Sequence, residues 1–375
     1  MKIHNKFDYT TSFWIILLYF CFQMNEMLKG IREMDKDALQ KAIMNLGFPK
    51  FRANQVFQWL WNQHVLDFED MSNLPKDLIQ ALKSNFDTHP MLIDVFQQSS
   101  DGTIKVGFKT FDRNTIEGVI IPSEDRITAC ISSQVGCSLA CKFCATGFLK
   151  RDRNLFAFEI YDQVFLLNEL AKKHFGGKLT NIVYMGMGEP LLNYHEVLKS
   201  LYLLNDIDLG LGIGAKRITV STSGITRNIL KLADEKIKIN LALSLHAPNN
   251  KKRDEIMDIN SSNPIEDLMA ALKTFYDKTK NKITYEYILL NGFNDSDEDA
   301  IELGTLCQDF PVYVNLIEYN PVDGTPFART KKERRDYFLH TLRTQGVESK
   351  VRKSRGKDID AACGQLANKV VKGGK

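Results

Sequence analysis

The stretch GCSLACKFC, residues 136–144, holds three cysteines in a C-x3-C-x2-C pattern, with the aromatic Phe143 directly before the last of them. No fourth cysteine follows at a spacing suited to a metal ligand. Four thiolates would close a cuboidal iron–sulfur cluster, whereas three leave one iron with an open coordination position. An open metal position is where a substrate binds, as in catalytic zinc sites. The pattern therefore predicts a reactive iron–sulfur site held by Cys137, Cys141 and Cys144.

Zinc is the main alternative metal for these cysteines. Its usual signature is two cysteine pairs, or one pair followed by two histidines, and no such second pair follows here. A disulfide bond between two of the cysteines Cys137, Cys141 and Cys144 would leave the third one unpaired. The seven cysteines of the chain also lack the paired, even spacing of a secreted protein. They indicate a reducing compartment, so we expect a cytoplasmic protein.

The net charge of +3 over 375 residues conceals a basic segment. Residues 331–357 contain ten Lys or Arg against three Asp or Glu, which is a local charge of +7, and the remaining chain carries −4. A basic segment on a nearly neutral body suits a polyanion such as RNA. A solvated helix face followed by a mobile tail would produce the same charge count.

An apolar run, FWIILLYFCF at residues 13–22, is too short to span a bilayer. Basic residues precede it as in a signal peptide, but no small-residue cleavage site follows. We expect residues 1–26 to be a dispensable extension upstream of the true start, at Met24 or Met27. We expect no association with a membrane.

Hydrophobic spacing divides the rest of the chain. Residues 36–46 and 51–61 have apolar residues at helical spacing, and a third helical stretch begins at Leu74, so a small helical bundle is predicted. Residues 95–122 read as two strands around a turn. Six strand-like runs then alternate with amphipathic helices, which predicts parallel strands joined by right-handed crossovers. The runs are residues 127–132, 182–185, 217–220, 239–245, 284–290 and 312–319.

Six such units are fewer than the eight of a closed barrel. The predicted fold class is therefore α/β, a partial (β/α)6 barrel with a small N-terminal helical domain and a C-terminal extension. A doubly wound open sheet is the alternative.

Polar and glycine-rich strings follow the predicted strands, where parallel α/β barrels collect their chemistry. With the cysteine spacing they resemble the radical S-adenosylmethionine (SAM) superfamily. The ammonium, carboxylate, ribose and adenine of SAM suit glycine, carboxylate, hydroxyl and amide groups of this kind. The candidate SAM-binding residues are Gly188 and Glu189 in MGMGEP, Ser221 in STSG, Ser244, Leu245 and His246 in SLHA, and Asn320 in YNP.

Two further cysteines stand out by their surroundings. Cys130 lies seven residues before Cys137, and Cys363 lies among small residues in RGKDIDAACGQL. A free cysteine is usually a small buried hydrophobe. Basic neighbours of Cys363, including Arg352 and Lys353, favour its thiolate, so a nucleophilic role is an equal alternative.

The strings GCSLACKFCATG, MGMGEPLLN, VSTSG, SLHAP and GKDIDAACGQL together resemble those of the radical SAM RNA adenine methyltransferases, over residues 34–371. The resemblance implies methylation of carbon 2 of adenosine in 23S ribosomal RNA and in transfer RNA beside the anticodon. It implies a 4Fe–4S cluster, two SAM molecules per turnover, an electron donor such as flavodoxin or ferredoxin, and a monomer. Cys363 would accept the methyl group, Cys130 would release the product by forming a disulfide, and Glu117 would accept a proton.

The resemblance also implies a division of the chain. Residues 1–26 would be the extension, 27–94 a helical RNA-binding domain, 95–125 a β linker, 126–347 the partial barrel and 348–375 the segment with the methyl-accepting cysteine. The basic stretches 150–153 and 331–357 would contact phosphates. Two departures from the family pattern are residues 1–26 and Lys150, which stands where many members carry glycine.

Three other functions fit parts of the pattern. An enzyme that methylates carbon 8 of a ribosomal adenosine, and so confers antibiotic resistance, would use the same cysteines. A methylthio-transferring radical enzyme would normally carry a second cysteine cluster, which the sequence lacks. A non-enzymatic RNA-binding protein with structural iron or zinc would need no role for Cys363. The apparently complete N-terminal bundle favours carbon 2.

Overall fold

The computed structural model describes residues 28–208 and 210–367. The predictions for residues 1–26 lie outside these residues. The chain divides into two compact units between His89 and Pro90. In the part of the chain that is described, no helix is both long and apolar enough to cross a membrane.

The N-terminal unit is a helical bundle closed by one short parallel strand pair, β1 (Lys29–Gly30) with β2 (Phe86–Asp87). Its helices are α1 (Lys36–Asn45), α2 (Phe51–Phe57), which continues as a π-helical turn over Gln58–Asn62, and α3 (Lys76–Asn85). Asp35 begins α1 by accepting a hydrogen bond from the Ala38 N–H at 2.7 Å. The apolar residues at helical spacing form the buried core, as predicted: Leu39, Ile43, Val56, Leu60, Leu78 and Leu82.

The larger unit is organised around a ten-stranded sheet in the order β14-β13-β12-β11-β10-β9-β6-β5-β4-β3. Its antiparallel part is β3 (Leu92–Gln98), β4 (Ile104–Lys109), β5 (Thr115–Ser123) and β6 (Arg126–Cys130). Its parallel part runs from β6 through β9 (Asn181–Tyr184), β10 (Ile218–Thr222), β11 (Asn240–Ser244), β12 (Ile283–Leu289), β13 (Val312–Glu318) and β14 (Glu348–Arg352). A small separate pair joins β7 (Gln134–Val135) and β8 (Arg153–Asn154).

Helices connect the parallel strands in turn. They are α4 (Ala157–Phe175), α5 (Tyr194–Asn205), α6 (Thr226–Asp234), α7 (Asn250–Ile256), α8 (Ile265–Thr279), α9 (Asp297–Thr305) and α10 (Lys332–Thr344). Neighbouring helices pack side by side in three pairs, α4 with α5, α6 with α8 and α9 with α10. The central strands of the parallel sheet are rich in apolar residues, as expected of parallel strands, and Leu241, Ala242 and Leu243 of β11 are fully buried.

The predicted partial (β/α)6 fold is confirmed, with one addition. The parallel strands follow one another in chain order without reversal, whereas a doubly wound sheet reverses its strand order at a switch point, so that alternative is wrong. A seventh parallel strand, β14, was not predicted. It lies inside the basic segment 331–357, which therefore contains the helix α10 and an edge strand of the sheet rather than a helix face followed by a mobile tail.

Candidate active site

The three-cysteine loop follows β6 and folds back on itself in a tight turn. The Cys144 N–H donates to the Cys141 carbonyl at 3.1 Å, and Ala140 adopts a left-handed conformation with φ of 50°. Gly147 packs against the same turn, where a Cβ would lie 2.7 Å from the Cys141 carbonyl oxygen. This turn brings Cys137, Cys141 and Cys144 to the wall of one cavity.

The thiols of this loop suit a multi-iron cluster. No group of three or more His, Cys, Asp or Glu side chains in residues 28–208 and 210–367 is arranged around one metal ion. A cuboidal cluster has a different requirement, since each thiolate binds its own iron and the sulfurs surround a cluster-sized space. Burial raises the pKa of the Cys137 thiol to about 11, and burial first and the neighbouring sulfurs second raise that of Cys141. Iron must therefore displace protons when it binds.

The strings predicted at strand ends line the same cavity, which is open to solvent and has a volume of about 890 Å³ when the open space at its mouth is included. Among the predicted residues that line it are the three cysteines together with Gly188, Glu189, Ser221, Ser244 and His246. Ser221 Oγ and Ser244 Oγ lie 3.5 Å apart. Leu245 and Asn320 do not line it. Leu245 is fully buried and accepts a hydrogen bond through its carbonyl.

Glu189 is held in place at the end of β9. One carboxylate oxygen accepts the Ser223 N–H at 2.7 Å and the other accepts the Leu191 N–H at 2.9 Å. Burial raises the pKa of this carboxyl group, against the effect of these hydrogen bonds. The side chains of Thr222 and Ser223 also hydrogen-bond this carboxyl group, so the orientation of Glu189 at the cavity wall is fixed by several donors.

The glycines of MGMGEP serve packing as well as ligand approach. A Cβ on Gly186 would lie 2.7 Å from the carbonyl carbon and oxygen of Ile131. Gly188 has a φ of 95°, and a Cβ there would lie 2.5 Å from Gln134 Cβ. The end of β9 therefore packs directly on the segment that leads into the cysteine loop. Sequence alone suggested only that these glycines admit a ligand.

This packing predicts that Gly186→Ala destabilises the protein. The added methyl group meets backbone atoms that cannot move independently, so the free energy of unfolding of the cluster-free protein should fall by about 1–3 kcal/mol. Urea denaturation followed by circular dichroism measures it. Gly214→Ala is the matched control, because nothing lies within 4 Å of a Cβ at that position. Equal unfolding midpoints for the two variants would contradict the close packing of Gly186.

His246 is a neutral residue of the cavity wall. Its Nδ1 accepts the Ile288 N–H at 3.1 Å, and its ring meets the Phe143 ring edge-on at 4.7 Å between centroids. Burial first, and then the charge of Arg253, lower its pKa to about 3. At neutral pH, His246 therefore offers an Nε2–H donor rather than a positive charge.

The segment with Cys363 is fastened to the loop that follows Cys144. The Ala145 N–H donates to the Gly364 carbonyl at 2.7 Å, and the Thr146 hydroxyl donates to the Leu366 carbonyl at 2.6 Å. These bonds bring Cys363 to the edge of the cysteine-lined cavity.

Asn320, two residues after the end of β13, supports the segment that contains Cys363. Its Nδ2 lies 3.5 Å from the Cys363 carbonyl and 3.2 Å from Ser354 Oγ. Its Oδ1 is buried, and no protein group in the described residues donates a hydrogen bond to it. An unsatisfied buried oxygen of this kind is suited to a ligand N–H, such as the amino group of an adenine.

A second cavity adjoins the first, and Cys363 and Arg352 line both. Cys130 lines only the second, together with Lys353 and Arg355. Burial first and the Cys363 sulfur second raise the pKa of the Cys130 thiol to about 12. The nearby Cys363 sulfur in turn raises the pKa of Arg352, against the effect of burial. The structure thus brings the two predicted reactive cysteines and a cation together.

Glu286 is a residue of the first cavity that sequence reasoning missed. It is buried on β12, accepts from the Asn315 amide at 2.8 Å and lies 3.4 Å from Arg352 Nη1. A carboxylate inside the apolar strand TYEYILL was the available signal, because a buried charge requires a partner.

Glu117 lies apart from both cavities. It is fully buried on β5, between β4 and β6, so it is not a solvated carboxylate on an edge strand. Its carboxylate lies 3.7 Å from the Lys105 ammonium and accepts the Ala367 N–H at 3.0 Å. It thereby contacts the chain just beyond Cys363.

The basic stretch 150–153 is only partly available to a ligand. Arg153 forms ion pairs with Asp112 at 2.6 Å and Glu159 at 2.7 Å, which leaves Lys150 and Arg151 exposed. The Lys150 backbone packs tightly against Gly136, while its side chain points outward to solvent.

Two family models match separate parts of the chain. Residues 131–304 match the model of the Radical SAM superfamily, and residues 30–87 match the ribosomal RNA large subunit methyltransferase N-terminal domain. A probable dual-specificity RNA methyltransferase RlmN of Cytophaga hutchinsonii is 48% identical over 95% of this chain and 99% of its own. The corresponding protein of Christiangramia forsetii is 49% identical over 94% of this chain and 99% of its own.

A crystal structure agrees with these sequence relatives. A radical SAM methyltransferase from Sphaerobacter thermophilus superposes with a TM-score of 0.84 at 41% identity, covering 90% of this chain and 99% of that one. The superfamily uses a 4Fe–4S cluster and SAM, and the three cysteines and the polar strand ends around one cavity suit both groups. The chain is therefore an enzyme that belongs to the dual-specificity RNA methyltransferases of the radical SAM superfamily.

Proposed function

We propose that this enzyme methylates carbon 2 of adenosine, in 23S ribosomal RNA and in transfer RNA beside the anticodon, and that it carries the methyl group on Cys363. The observation that supports this most strongly is that Cys363 lines both cavities, one with the three cysteines and the other with Cys130 and basic residues. A side chain in that position can receive a group on one side and deliver it on the other.

The chemistry of the target explains the need for a carrier. Carbon 2 of adenine is electron-poor, so it cannot attack the sulfonium methyl of SAM directly. A cysteine sulfur is a good nucleophile once it is deprotonated, and Arg352 provides a fixed positive charge beside Cys363. We propose that Cys363 accepts the methyl group and later links to the RNA through it.

The cluster and SAM would each be held by a separate set of side chains. Cys137, Cys141 and Cys144 would ligate the cluster, while Gly188, Glu189, Ser221, Ser244 and His246 would surround SAM. Leu245 and Asn320, which do not line the cavity, would support these residues from behind its wall. When bound, the cluster and two SAM molecules per turnover supply one methyl group and one 5′-deoxyadenosyl radical. The reaction also requires a one-electron donor such as flavodoxin or ferredoxin. We propose that the enzyme works as a monomer.

Cys130 and Glu117 complete the proposed reaction. One hydrogen atom of the S-methyl group of Cys363 would pass to the 5′-deoxyadenosyl radical, and the methylene radical so formed would add to carbon 2. Glu117 would accept the proton that carbon 2 then loses together with one electron, and that electron would return to the oxidised cluster. The Cys130 sulfur would then attack the Cys363 sulfur and break its bond to the methylene carbon, which takes that electron pair and a proton to become the product methyl group. The two sulfurs are left as a disulfide, which a cellular thiol reductant must reduce before the next turnover.

RNA recognition is proposed for two regions. A base splayed out of its strand could enter the second cavity, where Lys353 and Arg355 offer charge to the neighbouring phosphates. The N-terminal unit, with Lys50 and Phe51 exposed, would act as an RNA-binding accessory domain.

The test is mass spectrometry of the purified enzyme, which should show one added methyl group on Cys363. The Cys141→Ala variant should lack both the cluster and this methyl group. An unmodified Cys363 in wild-type enzyme, after anaerobic cluster reconstitution with SAM, would contradict the carrier role. Nucleoside analysis of RNA after turnover then separates 2-methyladenosine from the carbon-8 isomer, which the same cysteines could form.

A further inference from the structure

Arg253, at the C-terminal half of α7, is a fully buried arginine beneath the cysteine-lined cavity. Its guanidinium donates to the carbonyl oxygens of Ser223 at 2.6 Å, Leu245 at 3.2 Å and Ser244 at 3.4 Å, and to Asn260 Oδ1 at 2.7 Å. These acceptors belong to the ends of β10 and β11 and to the turn after α7. One side chain therefore ties together three separate segments of the site.

The bonds to Ser223 and Ser244 reach groups that face the cavity. The Ser223 N–H donates to the Glu189 carboxylate at 2.7 Å, so the chain of contacts runs from Arg253 through Ser223 to Glu189. Ser244 carries one of the two hydroxyl groups of the cavity wall. A shorter side chain in place of Arg253 would leave the ends of β10 and β11 free to shift relative to each other.

The charge of Arg253 is not matched by a contacting carboxylate. All four acceptors of its hydrogen bonds are neutral, and within residues 28–208 and 210–367 no carboxylate forms an ion pair with it. Burial lowers its pKa to about 10, and the nearby Cys141 sulfur and, less strongly, Asp254 oppose this effect. A buried guanidinium normally requires an anionic partner.

We propose that Arg253 is the buried counter-ion of the thiolate-ligated cluster and the positioning residue that fixes the ends of β10 and β11 for SAM. Three thiolates on a 4Fe–4S core would make the ligated cluster anionic. The Lys142 N–H, next to Cys141, donates to the Ile256 carbonyl at 3.1 Å, so the cysteine loop lies against α7, the helix that carries Arg253. The positive charge favours the reduced cluster, which carries one more electron. The hydrogen-bond fork holds Glu189 and Ser244 at their places. This inference rests on the cofactor part of the proposed function and not on the RNA target.

The test compares three variants of the reconstituted holoenzyme without RNA. Arg253→Met removes the charge and the donors, Arg253→Lys keeps the charge but loses the planar fork, and Arg343→Met is the matched control. Arg343 also donates to a backbone carbonyl, that of Ser349 at 3.1 Å, but it lies on α10 and its acceptor is on β14 rather than at the ends of β10 and β11. The cluster midpoint potential is measured by redox titration with EPR detection, and SAM affinity by equilibrium dialysis.

Arg253→Met should shift the midpoint potential to a more negative value and weaken SAM binding by about 10–100-fold, the usual loss when a residue behind a metal site is removed. Arg253→Lys should restore the potential and keep the weakened SAM affinity, and Arg343→Met should match wild type in both. A purely structural role for Arg253 would not move the potential and would not separate the two readouts.

A wild-type potential in Arg253→Met would overturn the counter-ion role, and wild-type SAM affinity in Arg253→Lys would overturn the positioning role. The SAM affinity of Arg253→Lys tests the positioning role even if Arg253→Met does not fold. If the wild-type enzyme itself binds neither cluster nor SAM, the proposed function fails instead, so the two failures are distinguishable.

Discussion

The Cys130→Ala variant should remain covalently attached to its RNA through Cys363. Cys130 and Cys363 line the same cavity. Among the described residues that line it, the only other cysteine is Cys144, which belongs to the three-cysteine loop. Without it, the bond between Cys363 and the methylene carbon cannot be broken by disulfide formation. Labelled RNA should therefore comigrate with the protein on a denaturing gel, and product should not accumulate over repeated turnovers.

Two control variants sharpen this experiment. The double variant Cys130→Ala, Cys363→Ala should form no adduct, which identifies the attachment site. Cys307→Ala should turn over as wild type does, because Cys307 is a half-buried thiol that lines neither cavity and donates to the Leu303 carbonyl at 3.2 Å. Free RNA product released at the wild-type rate by Cys130→Ala would exclude Cys130 from product release.

The architecture was predictable because its signal is local. Runs of apolar residues separated by amphipathic helices indicate parallel strands, and parallel strands bring their carboxyl ends to one edge. That rule alone predicted that Glu189, Ser221 and Ser244 would share a cavity with the cysteine loop, which they do. Strand β14 was not predicted from the sequence because its residues, ESKVR, are mostly polar or charged and resemble a solvated segment.

The residues that sequence reasoning missed depend on contacts between distant parts of the chain. Glu286 and Arg352 are 66 positions apart yet form an ion pair across β12, β13 and β14. Arg253 stands in the charged run NKKRDE, where it reads as one more exposed helix residue, although it is fully buried. Local pattern identifies which residues can be reactive, and only the tertiary structure identifies which charges support them.

Glu117→Gln should slow RNA methylation by about 10²–10⁴-fold, the usual contribution of a positioned proton acceptor. Methylation of Cys363 precedes the proton loss and should be unaffected. The variant should therefore accumulate the RNA adduct in a single turnover, as Cys130→Ala does, but with Cys130 still present. Quench-flow sampling of labelled RNA, with peptide mass spectrometry of Cys363, measures both quantities.

The structure supplies a second possible role for Glu117, which the same experiment separates. Its carboxylate accepts the Ala367 N–H and so helps to hold the segment that follows Cys363. Glutamine keeps an acceptor oxygen at that place, so an anchoring role should survive Glu117→Gln.

Asp358→Ala removes both acceptor oxygens of that side chain, so it tests anchoring without touching the proposed proton acceptor. Asp358 accepts the Ser100 N–H at 3.0 Å, and this bond fastens the same C-terminal segment to the loop between β3 and β4. A loosened segment should lower Cys363 methylation and adduct formation together. Glu117→Gln should lower neither of them and should block only the later step. If Glu117→Gln instead behaves like Asp358→Ala, then Glu117 positions the segment and another group must take the proton.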